Sequence, residues 1–163
     1  MMTSFHKLIP LLANARVKFI LIGGVAAAVH GAARATYDVD VVYDRSPENI
    51  RRLVGALSKL NPYPRGAPPG LPFIWDELTL KRGLNFTLTT KFGSLDLLGE
   101  VAGGGNYREL LAHSVETEGY GVTFSCVDLA TLIKLKRAAG RPKDYEALAE
   151  LEALFDANRG TNQ

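Results

Sequence analysis

The fold of this chain is decided by VKFILIGGVAAAVHGAARATYDVDVVYD, the stretch from Val17 to Asp44. A continuous apolar run typical of a buried strand is followed by two glycines, an alanine-rich segment and a second apolar strand. That second strand carries Asp38 and Asp40, which share one face because side chains alternate along a strand. Neighbouring carboxylates on a buried strand repel each other and lose solvation. A divalent cation is the commonest compensation, so the stretch predicts a functional site.

The glycine pair lies between the predicted strand and the predicted helix. Backbone amides at such a turn form a natural anion site, and the missing side chains of Gly23 and Gly24 let a phosphate approach the main chain. A strand-to-helix turn also uses glycine for purely steric reasons, and that alternative stays open. The sequence contains neither a G-x-G-x-x-G dinucleotide fingerprint nor a G-x-x-x-x-G-K-[ST] phosphate loop.

A third carboxylate is needed to complete a metal site, and Asp96 is the candidate. It lies in GSLDLLGE, where leucines surround it, and an acid within an apolar strand needs a partner or a role. If its strand lies beside the one with Asp38 and Asp40, Asp96 shares a metal and can accept a proton from an attacking hydroxyl. The alternatives are an exposed edge strand for the first pair and a local hydrogen bond for Asp96.

Composition limits the class of protein. A length of 163 residues, with 47% hydrophobic and 22% charged residues, indicates one globular domain, which we place at residues 1–157 with a flexible tail at 158–163. A net charge of +2 is too small to argue for nucleic acid by itself. The single cysteine, Cys126, excludes a disulfide framework and a cysteine-based zinc site. Because no membrane span or signal segment is evident, we expect a cytoplasmic protein.

The order of predicted elements is typical of an α/β or α+β domain with a mixed sheet and helices packed on it. Helices are predicted at 5–13, 25–33, 46–60, 129–139 and 143–157, and strands at 17–22, 37–43, 85–91, 95–101, 115–118 and 122–126. The segment from Asn61 to Pro72 holds five of the eight prolines. We expect an extended loop there, either functional or a stiff connector.

Four pieces of sequence together resemble the nucleotidyltransferase superfamily. They are IGGVAAAVHG (22–31), RATYDVDVV (34–42), NFTLTTKFGSLDLLGEV (85–101) and DLATLIKLKRAAGRPKDYEALAELEAL (128–154). The pieces cover much of the chain in family order, and their combination is specific whereas each piece alone is not. Within the superfamily, the chain is most similar to the small bacterial nucleotidyltransferases grouped with abortive-infection (AbiEii-type) toxins.

The resemblance implies a nucleotidyltransferase-like mixed sheet flanked by helices, with further helices at the C-terminus. It also implies a two-metal site for Mg²⁺, or Mn²⁺, that positions a nucleoside triphosphate for attack by a hydroxyl on the α-phosphate. By position, Gly23 and Gly24 would cradle the triphosphate. Asp38 and Asp40 would bind both metals, and Asp96 would be the third ligand and the general base.

The resemblance extends to residues beyond the carboxylates. Arg34 could contact phosphate and Thr36 could form a hydrogen bond near the metals, although a surface arginine and a strand-favouring threonine are the simpler interpretation. A lysine of the 129–139 helix is implied to reach the triphosphate. Lys136 is the first choice and Lys134 the second, because residues two apart on a helix do not share a face. Asp144 is expected to be a structural partner of Arg141 or Lys136.

One position departs from the family pattern. A common signature of the superfamily has a serine directly before the first aspartate of the D-x-D pair, whereas this chain has Tyr37 there. The γ-phosphate contact is therefore not carried over.

The expected function is Mg²⁺-dependent transfer of a nucleoside monophosphate from a nucleoside triphosphate to a hydroxyl of tRNA, protein or a small molecule. By resemblance alone, the chain could be the toxin of a toxin–antitoxin or phage-defence pair, with a cognate antitoxin as partner. One alternative is a non-catalytic nucleotide-binding or antitoxin-like partner protein that retains the fold. The other is a scaffold whose aspartates bind only structural cations.

Overall fold

The computed structural model describes residues 3–34, 36 and 38–161. The expectation concerning Tyr37 therefore lies outside the described residues. Seven helices are described: α1 (Phe5–Asn14), α2 (Gly23–Val29), α3 (Pro47–Leu57), α4 (Glu77–Arg82), α5 (Tyr107–Leu111), α6 (Leu129–Ala139) and α7 (Pro142–Thr161). A 3-10 turn at Ser58–Leu60 extends α3. The nine described strands are β1 (Phe19–Ile22), β2 (Asp38–Tyr43), β3 (Tyr63–Pro64), β4 (Asn85–Thr90), β5 (Gly93–Leu98), β6 (Glu100–Val101), β7 (Gly105–Asn106), β8 (Ser114–Gly119) and β9 (Val122–Val127).

Seven strands form one sheet in the order β3-β4-β5-β2-β1-β9-β8, and β6 pairs separately with β7. The sheet is mixed, because β2 pairs with β5 and β1 with β9 in parallel, whereas β1–β2, β4–β5 and β8–β9 are antiparallel. This confirms the predicted fold class. Among the described helices, none combines the length and the apolar character needed to cross a membrane.

The two faces of the central strands differ in burial. In β5, Leu95 and Leu97 are fully buried, whereas Asp96 between them is only partly buried. The same alternation in β2 buries Val39 and Val41 and leaves the two aspartates on the other face. Period-two patterning thus separates the hydrophobic core from a polar face of the same sheet.

Several boundaries differ from the sequence-based prediction. The second helix begins at Gly23 itself and ends at Val29, and the predicted strand at 95–101 breaks at Gly99 into β5 and β6. The loop at 61–72 contributes β3, which pairs with β4. The last helix ends at Thr161 rather than near Ala157. The assignment of residues 1–157 to one domain stays a prediction.

Two short helices were missed, although each has a cap that is visible in the sequence. Asp76 precedes α4 and accepts a hydrogen bond from the Thr79 amide at 2.8 Å. Asn106 and Glu109 form a reciprocal capping box at the start of α5. Helices of five and six residues are too short to show apolar periodicity, so their caps are the usable signal.

A buried carboxylate joins the last two helices. Asp144 is 1% exposed, and its Oδ2 accepts hydrogen bonds from the Arg141 backbone N (3.1 Å) and Nε (2.8 Å). Its Oδ1 lies 3.5 Å from Lys136 Nζ on α6. Burial acts to raise the Asp144 pKa, but the hydrogen bonds from Arg141 and the charges of Arg141 and Lys136 outweigh it and lower the pKa. The expected partnership of Asp144 is confirmed, with both cations rather than one.

Replacing this carboxylate should loosen the contact between α6 and α7. We expect Asp144→Asn to lower the free energy of unfolding by about 2 kcal/mol, because charge-assisted hydrogen bonds are lost at a buried site. Urea unfolding measures the change. Asp156→Asn, at an exposed position of α7, is the matched control and should change stability by less than about 0.5 kcal/mol. Equal losses in the two variants would contradict the structural role of Asp144.

Candidate functional site

A cleft of about 550 Å³ lies between the aspartate face of the sheet and helices α2, α6 and α7. Among the predicted site residues, those that line it are Gly23, Gly24, Arg34, Thr36, Asp38, Asp40, Asp96 and Lys136. Lys134 is exposed and is not among the described residues that line the cleft. Of the two lysines, Lys136 therefore shares the cleft with the carboxylates, and which of them binds nucleotide stays a prediction.

The three carboxylates are brought together by strand register. In the parallel pairing of β2 with β5, Asp40 lies opposite Asp96, and Asp38 lies opposite Ser94. The strand of Asp96 thus lies directly beside the strand of Asp38 and Asp40, as the sequence-based hypothesis required. Because β2 lies inside the sheet between β1 and β5, the edge-strand alternative for Asp38 and Asp40 does not apply.

This crowding of acids changes the protonation of Asp40. Burial, a side-chain hydrogen bond with Asp96 and the negative charges of Asp96 and Asp38 together raise the Asp40 pKa from 3.8 to about 7, whereas Lys136 acts in the opposite direction. Loss of solvation and nearby negative charge both disfavour the ionised form of a carboxyl. A bound cation would offset both effects.

The glycine pair is required by close contacts within the protein. A Cβ atom at Gly23 would lie 2.1 Å from Asp40 Oδ2, and one at Gly24 would lie 2.4 Å from Thr36 Oγ1. Gly23 also has φ +71°, in the left-handed region that favours glycine. These contacts alone explain why both positions are glycine, as the steric alternative requires. A phosphate-binding role for the two glycines is a separate proposal.

Cations line the other side of the cleft. Lys136 on α6, Arg141 before α7 and Lys143 in its first turn all contribute, and Asp144 holds the first two in place. Arg34 also lines the cleft, where its Nη1 lies 3.4 Å from Glu146 Oε2. The sequence-based expectation named only a lysine for this role and did not include Arg141 or Lys143.

Sequence reasoning missed Arg65, which contacts two of the three carboxylates. Its Nη2 lies 2.6 Å from Asp96 Oδ1, and its Nη1 lies 3.9 Å from Asp38 Oδ1. Arg65 belongs to the proline-rich segment, and nothing in the local sequence singles it out. Its position depends on the pairing of β3 with β4, which places the segment beside the carboxylates.

The carboxylates fit Mg²⁺ or Mn²⁺ by chemistry. Asp38, Asp40 and Asp96 offer the oxygen donors that hard divalent cations prefer, and burial together with the neighbouring acids raises the pKa of Asp40. Among the described residues, no three His, Cys, Asp or Glu side chains form a ready metal-binding group. The three carboxylates thus have suitable donor atoms for such an ion. Their side chains would have to move before they could bind one ion together.

Solved structures share this fold. The crystal structure of the lincosamide antibiotic adenylyltransferase LnuA, with lincomycin bound, superposes with a TM-score of 0.62 at 13% identity, covering 94% of this chain and 99% of that one. TM1012 from Thermotoga maritima, which is named as a nucleotidyltransferase, gives 0.50 at 14% identity, covering 96% of this chain and 89% of that one. No protein-family model and no curated protein matches the sequence. The comparisons show that the chain has the fold of nucleotidyltransferases.

Proposed function

We propose that the chain is a metal-dependent nucleotidyltransferase that moves a nucleoside monophosphate from a nucleoside triphosphate to an acceptor hydroxyl. One observation carries the proposal: Asp40 and Asp96 pair in register beside Asp38, facing a cleft that also presents Lys136 and Arg141. Acidic groups suited to metals and basic groups suited to phosphates thus share one cleft. The fold shared with nucleotidyltransferases supports the same conclusion.

Each side chain has a role in this proposal. Asp38, Asp40 and Asp96 would hold Mg²⁺ or Mn²⁺, and the chemistry that such ions supply is neutralisation of phosphate charge. Lys136 and Arg141 would bind the triphosphate. Arg34 and Thr36, which also line the cleft, are proposed to bind the nucleotide as well, together with the main chain of Gly23 and Gly24.

The transfer step is a substitution at phosphorus. The acceptor oxygen forms a bond to the α-phosphorus, the bond from that phosphorus to the bridging oxygen breaks, and pyrophosphate leaves. The proton of the attacking hydroxyl passes to Asp96, which is 17% exposed and therefore accessible from the cleft. Catalysis in this scheme comes mainly from positioning and charge neutralisation.

The acceptor and the biological role belong to the proposal as well. A hydroxyl of tRNA, a protein or a small molecule would serve chemically. A small molecule is the first to test, because LnuA, matched over 99% of its length, is an antibiotic adenylyltransferase. The sequence resemblance to AbiEii-type proteins supports a toxin that acts with a cognate antitoxin.

A second candidate is a nucleotide-binding partner protein without turnover. The contact of Arg65 with Asp96 and Asp38 favours it, because a guanidinium already neutralises two of the acids on which the reaction depends. Assays of transfer and of nucleotide binding separate the two candidates.

The catalytic proposal predicts labelled product from α-labelled nucleoside triphosphates, Mg²⁺ and cell extract or a small-molecule panel. Asp38→Asn and Asp40→Asn should each reduce the yield at least about 100-fold, because charge stabilisation of the transferring phosphate is lost. Asp156→Asn, exposed on α7, is the control and should retain full yield. Nucleotide binding without any labelled product would favour the second candidate.

The two lysines provide a matched pair for nucleotide binding. Lys136→Gln should weaken binding of a nucleoside triphosphate about tenfold, because one charge-assisted phosphate contact is lost. Lys134→Gln removes the same charge two residues away and should change the dissociation constant less than twofold. Calorimetric titration measures both, with circular dichroism to verify folding. Equal changes in the two dissociation constants would show that nucleotide binding depends on the overall positive charge of α6 and not on the position of Lys136.

The raised Asp40 pKa predicts a pH dependence of stability. Because the folded state keeps the proton up to about pH 7 and the unfolded state loses it near 3.8, this carboxyl stabilises the metal-free protein below about pH 4. That contribution is lost as pH rises to about 7. The unfolding free energy of wild type relative to Asp40→Asn should therefore fall across this range, as measured by urea unfolding with EDTA.

Millimolar Mg²⁺ should reduce that fall, since the ion binds the deprotonated carboxylate. A difference between wild type and variant that does not change with pH would contradict the assignment of the proton to the Asp40–Asp96 pair.

A further inference from the structure

We infer that Arg65 is an internal counter-ion of the carboxylate site, which a divalent cation must displace from Asp96, so that Arg65 sets the metal affinity of the protein. The inference rests on the proposed function only in requiring that Asp38, Asp40 and Asp96 bind metal.

The position of the Arg65 side chain is defined by several contacts. The Arg65 amide donates to the Thr87 carbonyl at 2.9 Å, and Thr87 lies opposite Asp96 across the β4–β5 pair. The side chain reaches over β4, donates from Nη1 to the Leu88 carbonyl at 3.2 Å and from Nη2 to Asp96 Oδ1 at 2.6 Å. The guanidinium thus lies on the same cross-strand row as Asp96 and Asp40.

The contact partners of Arg65 differ in charge from those of Arg45, an arginine of the same protein with a structural role. Arg45 donates to the Leu80 and Lys81 carbonyls and to the Tyr43 hydroxyl, and all three of these partners are neutral oxygens. Arg65 has one carbonyl partner, and its other two partners are the acids proposed to bind metal. Its guanidinium therefore occupies positive-charge positions that a metal would use.

Electrostatics makes the two cations competitors. The Arg65 guanidinium and a divalent ion both carry positive charge. A divalent ion on Asp96 would lie next to a group of like charge, and repulsion at such distances is strong in a partly dehydrated cleft. Removing the Arg65 charge should therefore strengthen metal binding.

The Arg65 side chain lies at the surface of the cleft, where it is 31% exposed. The Arg65 amide is bonded to β4, so the proposed displacement is a rotation of the side chain towards solvent and not a movement of the strand. The row of acids would then be open to the metal without rearrangement of the sheet.

The test is titration of the nucleotide-free protein with Mn²⁺, followed by electron paramagnetic resonance and calorimetry. Arg65→Gln should bind Mn²⁺ about five- to twentyfold more tightly than wild type, because the competing charge is gone. Arg65→Lys keeps the charge and should lie closer to wild type. Arg51→Gln removes an exposed charge that pairs with Glu77 at 3.4 Å, and should change Mn²⁺ affinity less than twofold.

Thermal unfolding supplies a readout that is independent of activity. Without metal, Arg65→Gln should have a lower Tm than wild type, and added Mn²⁺ should raise its Tm by more than that of wild type. Unchanged or weaker Mn²⁺ binding in Arg65→Gln, or no binding by either protein, would overturn the inference. Tighter binding without any nucleotide transfer would support it while counting against the proposed enzyme activity.

Discussion

The parallel pairing of β2 with β5 places Asp40 opposite Asp96, and the rest of the cleft depends on this register. A shift of one residue would turn Asp96 into the core and bring a leucine to the polar face, since side chains alternate. A second alignment, the antiparallel pairing of β1 with β2, places Ile22 opposite Asp40 and so brings the following Gly23 against Asp40, where it fits only without a side chain. These two strand alignments together position the carboxylates and the start of α2.

The electrostatics of the cleft follow from the pairing of β2 with β5. Three acids lie close together on neighbouring strands. Burial and the neighbouring acids raise the pKa of Asp40 so that it retains its proton, and Arg65 forms an ion pair with Asp96. The cations of α6 and α7 are balanced separately by the buried Asp144. The carboxylates on one side of the cleft are therefore only partly paired, by Arg65. On the other side, Lys136 and Arg141 are held in position by Asp144.

Much of this arrangement could be predicted from the sequence, for identifiable physical reasons. The apolar runs predicted β1 and β2 to within two residues, and α6 has the predicted bounds of 129–139. The sequence placed Asp40 and Asp96 on apolar strands, but their convergence required that the two strands be neighbours, which the pairing of β2 with β5 shows. Arg65 could not be predicted, because its partners depend on the order of strands in the sheet. The resemblance already ranked Lys136 before Lys134, and the structure adds that Lys136 lines the cleft.

Asp144 links the integrity of the C-terminal helices to the chemistry of the cleft. One buried side chain orients both Lys136 and Arg141 and also connects α6 with α7. A substitution at this position would therefore disturb both cations and the helix contact together. The stability of the α6–α7 junction is by itself a sufficient reason for this chain to have the acid and its two cations, whether or not the cations also bind a ligand.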